Sequence, residues 1–457
     1  MKKMDCRKLA KMAEGSILGD GHFPPISSIT IDSRKAGSGS LFVALSGQLQ
    51  DGHDYVIDAF ANGASCALVS SKHAHRIKAK ITDPSKVLIV VEDTLSALQQ
   101  MAKAHVTEHG SVRRVGITGS CGKTTTKEMV ASILSQMGKT AKTPGNFNSE
   151  IGLPISVFEI DGETQYGVFE MGVDHVGEMD RMIDIWRPEA AIITNIGISH
   201  VGKMGSMQVI AKEKSKLFHP DISAPFIAEN SSWSRYIEKL RKINPLPFGI
   251  ASTEGVGEIE SLGLDGWKIV YHNQAIHIRA VGKHNLMNAL AAISLTQTMG
   301  ANVDDVIGGL ERFSSVPGRS RIVGGPVTVI EDYYNSSVDS TETILDYMGT
   351  LPWNGRKLAV LGSMKELGAS SDAAHRQVAR KLISCGLDDI YLYGSEMESA
   401  WQELKKLGFD RHLFFTDDYE VLQRKMLEDT RKGDLVLVKG SRAMAMERLV
   451  PVISSIA

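Results

Sequence analysis

Apolar residues follow two rhythms along this chain, and their alternation predicts its architecture. Short unbroken apolar runs at 41–45 (LFVAL), 66–70 (CALVS) and 87–91 (VLIVV) read as buried strands. Between the first two, residues 51–64 (DGHDYVIDAFANGA) are apolar at helical spacing and stop at Gly63. Near the start, Leu9, Ala10, Met12 and Ala13 form one side of an amphipathic helix. These elements predict a small α/β domain over 1–93, and 94–109 (TLSALQQMAKAHVTEH) a helix connecting it to the next unit.

The strand RRVGIT (113–118) then leads through a Gly-rich turn into a helix. On that helix Met129, Val130, Ile133, Leu134 and Met137 recur at helical spacing, and Gly138 caps it. More strands are predicted at 166–172, 190–196 and 224–230, then a hairpin over 266–281 about a His-Asn-Gln turn, then a helix ending at Gly300. After 317, runs at 327–332, 357–363, 389–394, 412–417 and 434–441 alternate with helical segments. That spacing predicts a mostly parallel, doubly wound Rossmann-like sheet. The fold class is therefore α/β in three domains, 1–93, 94–317 and 318–457, the central one also built on a mostly parallel sheet.

Charge narrows the range of partners. Across 457 residues, 51 Lys and Arg against 53 Asp and Glu leave a net charge of −2, with no general electrostatic claim on nucleic acid or an anionic membrane. Hydrophobic residues at 42% and charged residues at 23% exclude a disordered chain. No apolar run is long enough to span a bilayer, and the basic N-terminus lacks a signal peptide's apolar core. Cys6, Cys66, Cys121 and Cys385 lie far apart without zinc spacing, so reduced thiols in a cytoplasmic protein are expected.

The densest chemistry lies between the strand at 113–118 and its helix: Thr118, Gly119, Ser120, Cys121, Gly122, Lys123, Thr124 and Thr125. Phosphate binding needs close backbone approach, inward N–H groups, a helix N-terminus and a lysine, and this segment supplies all four. Ile117 stands where the strict phosphate-loop pattern has its first glycine. Thr124 suits a Mg²⁺ ion on a bound triphosphate, and Glu170, ending an apolar strand, is placed to share it. Cys121 reads as a small loop residue. Asn285 and Asn288 share one helix face. Arg319 follows Gly318 where it reaches a phosphate only when domains close, and Asp332 ends a strand beside the same switch. Asn146 and Asn148 flank Phe147 in a turn where either orients a carboxylate or a γ-phosphate.

Ten motifs in order give this chain a resemblance to the Mur ligase family, the ATP-dependent ligases that extend the UDP-linked peptide precursor of bacterial cell wall. They are IDSR (31–34), TGSCGKTT (118–125), TPGNFNSEIG (143–152), FEMG (169–172), NIGISH (195–200), AKEK (211–214), GKHNLMNA (282–289), GRSR (318–321), EDYYN (331–335) and KGSR (439–442). Within the family, EDYYNSSVDS (331–340), LGSMKELGASSDAAH (361–375) and KGSRAMAME (439–447) resemble the branch that adds D-alanyl-D-alanine to UDP-N-acetylmuramoyl-tripeptide through an acyl phosphate. No DNPR motif of the diaminopimelate-adding branch occurs. Alternatives are such a diaminopimelate- or lysine-adding ligase, or a phosphate-loop NTPase without ligase activity.

The resemblance implies ATP and two Mg²⁺ ions as cofactors, His200 on the second ion, and Lys214 carbamylated by CO₂, with Lys212 as the rival position. A carbamate would supply the anionic oxygens that Glu170 and His200 lack. It also implies adenine-nucleotide contacts at Asn285 and Asn288, ribose contact at Asp332, and catalytic roles for Lys123, Lys214, His200 and Asn146. Ser33, Arg34, Gly47, Asp51, Gly52 and His53 resemble the block that binds the UDP substrate, although Gly47 and Gly52 read equally as turn residues. Tyr334, Asn335, His375, Lys439 and Arg442 are expected near the dipeptide, with strand capping as the other reading of Lys439 and Arg442. A monomer without nucleic-acid or stable membrane partners is expected.

Overall fold

A computed structural model describes residues 3–19, 25–47 and 49–456, which fall into two compact units. The first comprises Met1–Gly116, Gly138–Val173 and Gly177–Glu189. Its five-stranded sheet runs Ser16–Leu18, Val87–Val91, Cys66–Ser70, Ser40–Val43, Ser28–Thr30, parallel except for the first strand. Every residue of Ser40–Val43 and Cys66–Ser70 is buried, which explains why unbroken apolar runs rather than alternation mark these strands. Phe42, Val56, Phe60, Val69 and Leu88 form part of its core. The helix Thr94–Glu108 starts at Asp93, whose carboxylate accepts the Ser96 N–H at 2.7 Å. The Cys6 and Cys66 thiols touch at 3.4 Å inside this unit, both reduced. A parallel pair, Thr140–Lys142 with Tyr166–Glu170, belongs here too. Near it the buried Trp186 donates to the Val115 carbonyl at 3.0 Å and meets Phe169 edge-on.

The second unit comprises Ile117–Met137, Asp174–Val176 and Ala190–Ala457. The strand Arg113–Thr118 runs into it from the first, and Thr118 accepts the Thr194 N–H at 2.9 Å. Ala190–Ile193, Ala224–Ala228 and Leu246–Phe248 lie side by side and parallel. The predicted hairpin is Trp267–Tyr271 with Gln274–Ile278, and its turn is shorter than expected. Only His272 and Asn273 turn, both with positive φ, and Gln274 already pairs with Tyr271. A third strand, Val256–Ser261, extends this sheet; it is mostly exposed and left no apolar run to read.

The last sheet is ordered Arg321–Val323, Thr328–Asp332, Leu435–Lys439, Lys357–Gly362, Asp389–Tyr393, His412–Thr416. Its first pair is antiparallel and the rest parallel, the expected doubly wound arrangement. Ile330, Leu361, Leu392 and Leu437 enter one core and Val329, Val360, Tyr391 and Val438 another, so both faces are covered. In the same unit the helix Lys123–Met137 packs on Lys283–Thr298 and Val303–Arg312. A Cβ at Gly309 would lie 2.4 Å from the Ile133 Cα, so these backbones touch, and the Ser132 hydroxyl donates to the Gly309 carbonyl at 2.6 Å. Among the described residues no helix is long and apolar enough to cross a membrane.

Candidate active site

The phosphate loop hangs between the strand end at Thr118 and the helix starting at Lys123, so its amides lie at the positive end of a fifteen-residue helix. Gly122 adopts φ +81, and a Cβ there would lie 2.5 Å from Asn288 Oδ1, so glycine alone fits. Asn288 is thus against the loop, and its Nδ2 donates to Asn285 Oδ1 at 3.1 Å while Asn285 Nδ2 donates to the Val281 carbonyl at 2.8 Å. The N–H groups of Ser120 and Cys121 both donate to Asn195 Oδ1, at 3.0 and 2.8 Å. Asn195 gathers the two amides toward one point. Sequence reasoning quoted its NIGISH motif without giving Asn195 a role. Thr125 is buried in the first helical turn.

Two lysines meet at one loop carbonyl. Lys123 Nζ donates to Gly119 O at 2.8 Å and Lys214 Nζ donates to it at 3.1 Å. Lys214 is 1% exposed, whereas Lys212 on the same helix is exposed. The solvent-facing reading therefore belongs to Lys212.

Residues from the last sheet's segment reach this loop. Arg319 Nη2 donates to Thr124 Oγ1 at 3.2 Å, its guanidinium stacks 3.8 Å over the Tyr334 ring, and its buried Nε meets no partner among the described residues. A buried, unpartnered guanidinium N–H beside a phosphate loop fits an anionic ligand. Cys121 Sγ lies 3.7 Å from Ser337 Oγ, and Asp339 Oδ2 accepts the Ile198 N–H at 3.3 Å.

Other predicted residues make contacts within the second unit. Asp332 accepts from the Ser320 N–H and hydroxyl, both at 3.1 Å, and from Lys439 Nζ at 2.6 Å. Lys439 is buried and also donates to the Asn335 carbonyl at 3.1 Å, tying the strand end to the 332–335 segment. His375 is enclosed: Nε2 accepts the Met364 N–H at 3.0 Å and Nδ1 donates to Ser371 O at 2.8 Å. Burial pushes its pKa below the ordinary histidine value. It shapes the 363–366 loop and has no ring nitrogen left for a dipeptide. Arg442 is exposed and pairs with Glu447 at 2.9 Å. His200 is half-buried, with Nδ1 2.7 Å from Glu366 Oε2.

In the first unit, Glu170 is 1% exposed and accepts from Asn148 Nδ2 at 2.7 Å. Of the two candidate asparagines it is Asn148 that reaches this carboxylate; Asn146 is exposed in the turn. A buried carboxylate demands a cationic or hydrogen-bonding environment, and its oxygens are the hard donors Mg²⁺ prefers. Elsewhere in that unit Arg34 is 86% exposed, bound through Nε and Nη2 to both oxygens of Asp32, and Ser33 O accepts from Asn62 at 3.0 Å. The Gly47 N–H donates to Gln50 O and the Gly52 N–H to Leu45 O, as turn residues do. His53 is 3% exposed: Nδ1 is 2.6 Å from Asp51 and Nε2 accepts the Ser70 N–H at 3.0 Å, so both nitrogens are used internally.

Three family profiles match the chain: the Mur ligase family catalytic domain at 25–106, the Mur ligase middle domain at 117–296, and the Mur ligase glutamate ligase domain at 318–442. The UDP-N-acetylmuramoyl-tripeptide–D-alanyl-D-alanine ligase of Treponema pallidum is 35% identical, over 93% of each chain. The crystal structure of MurF from Acinetobacter baumannii superposes with a TM-score of 0.85 at 29% identity, covering 99% of both chains. The MurF ligase of Thermotoga maritima in complex with ADP gives 0.76 at 26% identity, covering 93% of this chain and 97% of that one. With profiles along most of its length and a full-length relative at this identity, the chain belongs to the Mur ligase family.

Proposed function

We propose that this chain is an ATP-dependent ligase that joins D-alanyl-D-alanine to UDP-N-acetylmuramoyl-tripeptide, releasing ADP and phosphate. A carboxylate offers an amine no adequate leaving group. Transfer of the γ-phosphoryl to the tripeptide carboxylate creates an acyl phosphate, and the dipeptide amine then displaces phosphate to form the amide. The observation that carries this reading is Arg319 on Thr124, which joins the phosphate loop to the segment bearing EDYYN, ELG and KGSR. The choice of amine is supported by the full-length similarity to D-alanyl-D-alanine ligases.

In this reading the loop amides, Lys123, Thr124 and Thr125 hold the phosphates, and Arg319 faces the transferring group. Asn285 and Asn288 border the nucleotide, and Asp332 takes its ribose. Thr124 and Glu170 would hold one Mg²⁺ and His200 the second, which when bound neutralise phosphate charge. Lys214 acts as a carbamate, formed when its neutral amine attacks CO₂ and loses a proton. Its burial against the phosphate loop, sharing Gly119 O with Lys123, puts it where the carbamate would face the nucleotide. Asn148 holds the Glu170 carboxylate, and Asn146, exposed in the same turn, orients the substrate carboxylate or the γ-phosphate. Ser33 and Arg34 contact the UDP substrate directly, with Gly47, Asp51, Gly52 and His53 shaping the turn beside them. Tyr334, Asn335 and Arg442 border the dipeptide, while His375 and Lys439 hold its loops. The division 1–93, 94–317 and 318–457 separates UDP-substrate, ATP and dipeptide binding. The protein acts in the cytoplasm as a monomer.

Phosphate release with UDP-N-acetylmuramoyl-tripeptide and a panel of amines tests this. Release should require D-alanyl-D-alanine and stay at background with diaminopimelate, lysine, glutamate or no amine. Equal turnover with diaminopimelate on a dipeptide precursor would overturn it. In ¹³C-bicarbonate buffer a carbamate NMR signal should vanish in Lys214→Ala and persist in Lys212→Ala.

A further inference from the structure

The turn at His200 and the loop at Glu366 meet in a way that general packing does not require. Both residues are non-glycine with left-handed backbones, φ 63 at His200 and φ 66 at Glu366. Such conformations cost free energy and persist only where surrounding contacts enforce them. Gly202 enforces one side: a Cβ there would lie 2.6 Å from the Glu366 carbonyl oxygen and 3.1 Å from the Gly368 nitrogen, so the loop sits on bare backbone. The loop is pinned from the other side, since the Met364 N–H donates to His375 at 3.0 Å and the Lys365 N–H to the Ser441 hydroxyl at 2.9 Å. The outcome of this double constraint is one contact, His200 Nδ1 at 2.7 Å from Glu366 Oε2. That buried nitrogen has no aligned hydrogen-bond partner among the described residues, so the Glu366 carboxylate lies within reach of it as its one close acidic neighbour there.

We propose that Glu366 is a positioning residue for the divalent-cation site, holding His200 Nδ1 so that Nε2 remains the ring's donor nitrogen. The inference rests on the reading above that His200 is a cation ligand. A carboxylate accepting the far N–H of a ligating imidazole fixes its tautomer and orientation and raises its basicity. Here the carboxylate comes from the segment that also carries the ELG block, 166 residues farther along the chain than the histidine (366 − 200). The cation site is therefore complete only while the 363–368 loop is seated on the 200–204 turn. Metal affinity and seating of the last segment become one equilibrium.

The test is Mn²⁺ binding, read by electron paramagnetic resonance on the full chain loaded with a non-hydrolysable ATP analogue. Glu366→Ala should weaken Mn²⁺ binding by about 10- to 100-fold, while binding of the nucleotide analogue without metal stays within about twofold. Glu366→Gln keeps an acceptor oxygen and should restore most of the affinity. A second readout needs no metal: ¹⁵N-histidine spectra should show His200 as the Nδ1–H tautomer in the parent and in Glu366→Gln, and as a mixture in Glu366→Ala. If His200→Ala loses Mn²⁺ and Glu366→Ala does not, the positioning role is wrong. If neither changes Mn²⁺ affinity, His200 is no ligand and the underlying reading fails, a distinguishable result.

Discussion

The phosphate loop at 118–125 and the turn carrying Ser46, Gly47, Asp51, Gly52 and His53 are both dense in glycine and polar residues, yet they put those residues to different uses. In the phosphate loop, backbone N–H groups converge on Asn195 Oδ1, two lysines converge on Gly119 O, and Arg319 has a buried nitrogen without a partner among the described residues. In the turn, polar groups satisfy one another: Asp51 takes His53 and Ser46, and His53 takes the Ser70 amide. Both regions satisfy most of their polar groups internally, but at the phosphate loop Arg319 holds one buried donor in reserve, whereas the turn's named groups are spent locally. Motif content alone does not separate the two.

The strongest way to break this contrast is Lys123→Ala. Activity should fall by about 100-fold or more, because the lysine offsets charge that grows during phosphoryl transfer, while circular dichroism and Tm stay near the parent. Retention of a tenth of the turnover would place the loop with the structural turns. Arg319→Ala should follow, lowering kcat by about 10- to 100-fold with smaller change in the KM for the UDP substrate; steady-state phosphate release checks it.

The turn should behave in the reverse manner. His53→Ala removes two satisfied hydrogen bonds from a buried ring and should cost about 1–3 kcal/mol of stability, read by urea unfolding, with kcat nearly unchanged. Arg34, exposed elsewhere in the same unit, sharpens the point, since Arg34→Ala should raise the KM for the UDP substrate several-fold and leave Tm unmoved.

The smallest expected effect is a pH slope. Burial lowers the pKa of His375 below its ordinary 6.5, so the unfolded chain takes up that proton first as pH falls. Stability should be full above about pH 6.5 and decline below it. His105, held down at about 4 by burial, contributes in the same direction. The fall in Tm between pH 7 and 5 should be shallower in His375→Gln; an unchanged slope would mean the ring is not held neutral.

Much of the fold was legible because buried parallel strands need unbroken apolar runs, and 66–70, 87–91 and 113–118 are strands to the residue. The strand Val256–Ser261 was not, because an exposed antiparallel strand needs no such run. The phosphate loop was legible for a related reason: only particular residue types permit its backbone, as Gly122 at φ +81 against Asn288 illustrates. The partners that tertiary packing supplies were not. The contacts of Asn195 with the loop amides, of Glu366 with His200 and of Asn148 with Glu170 depend on which loops meet, and no local spacing encodes that. The burial and internal partners of His53, His375 and Lys439 mark the converse limit, since a motif carries no signal of how deeply its polar residues are packed.

The backbone contact between Gly309 and Ile133 gives the phosphate loop a foundation. The helix that begins at Lys123 cannot recoil along or across its neighbour without displacing main chain, because no compressible side chain separates them there. The loop's dipoles are therefore fixed in direction before any phosphate arrives. When charge moves from nucleotide to carboxylate, little reorganisation remains for the protein to perform, which is the condition under which fixed dipoles stabilise a transition state most. Any side chain at 309 would loosen that anchorage about 20 Å from the chemistry, by the rise of a helix over the ten residues between 123 and 133 plus the loop itself.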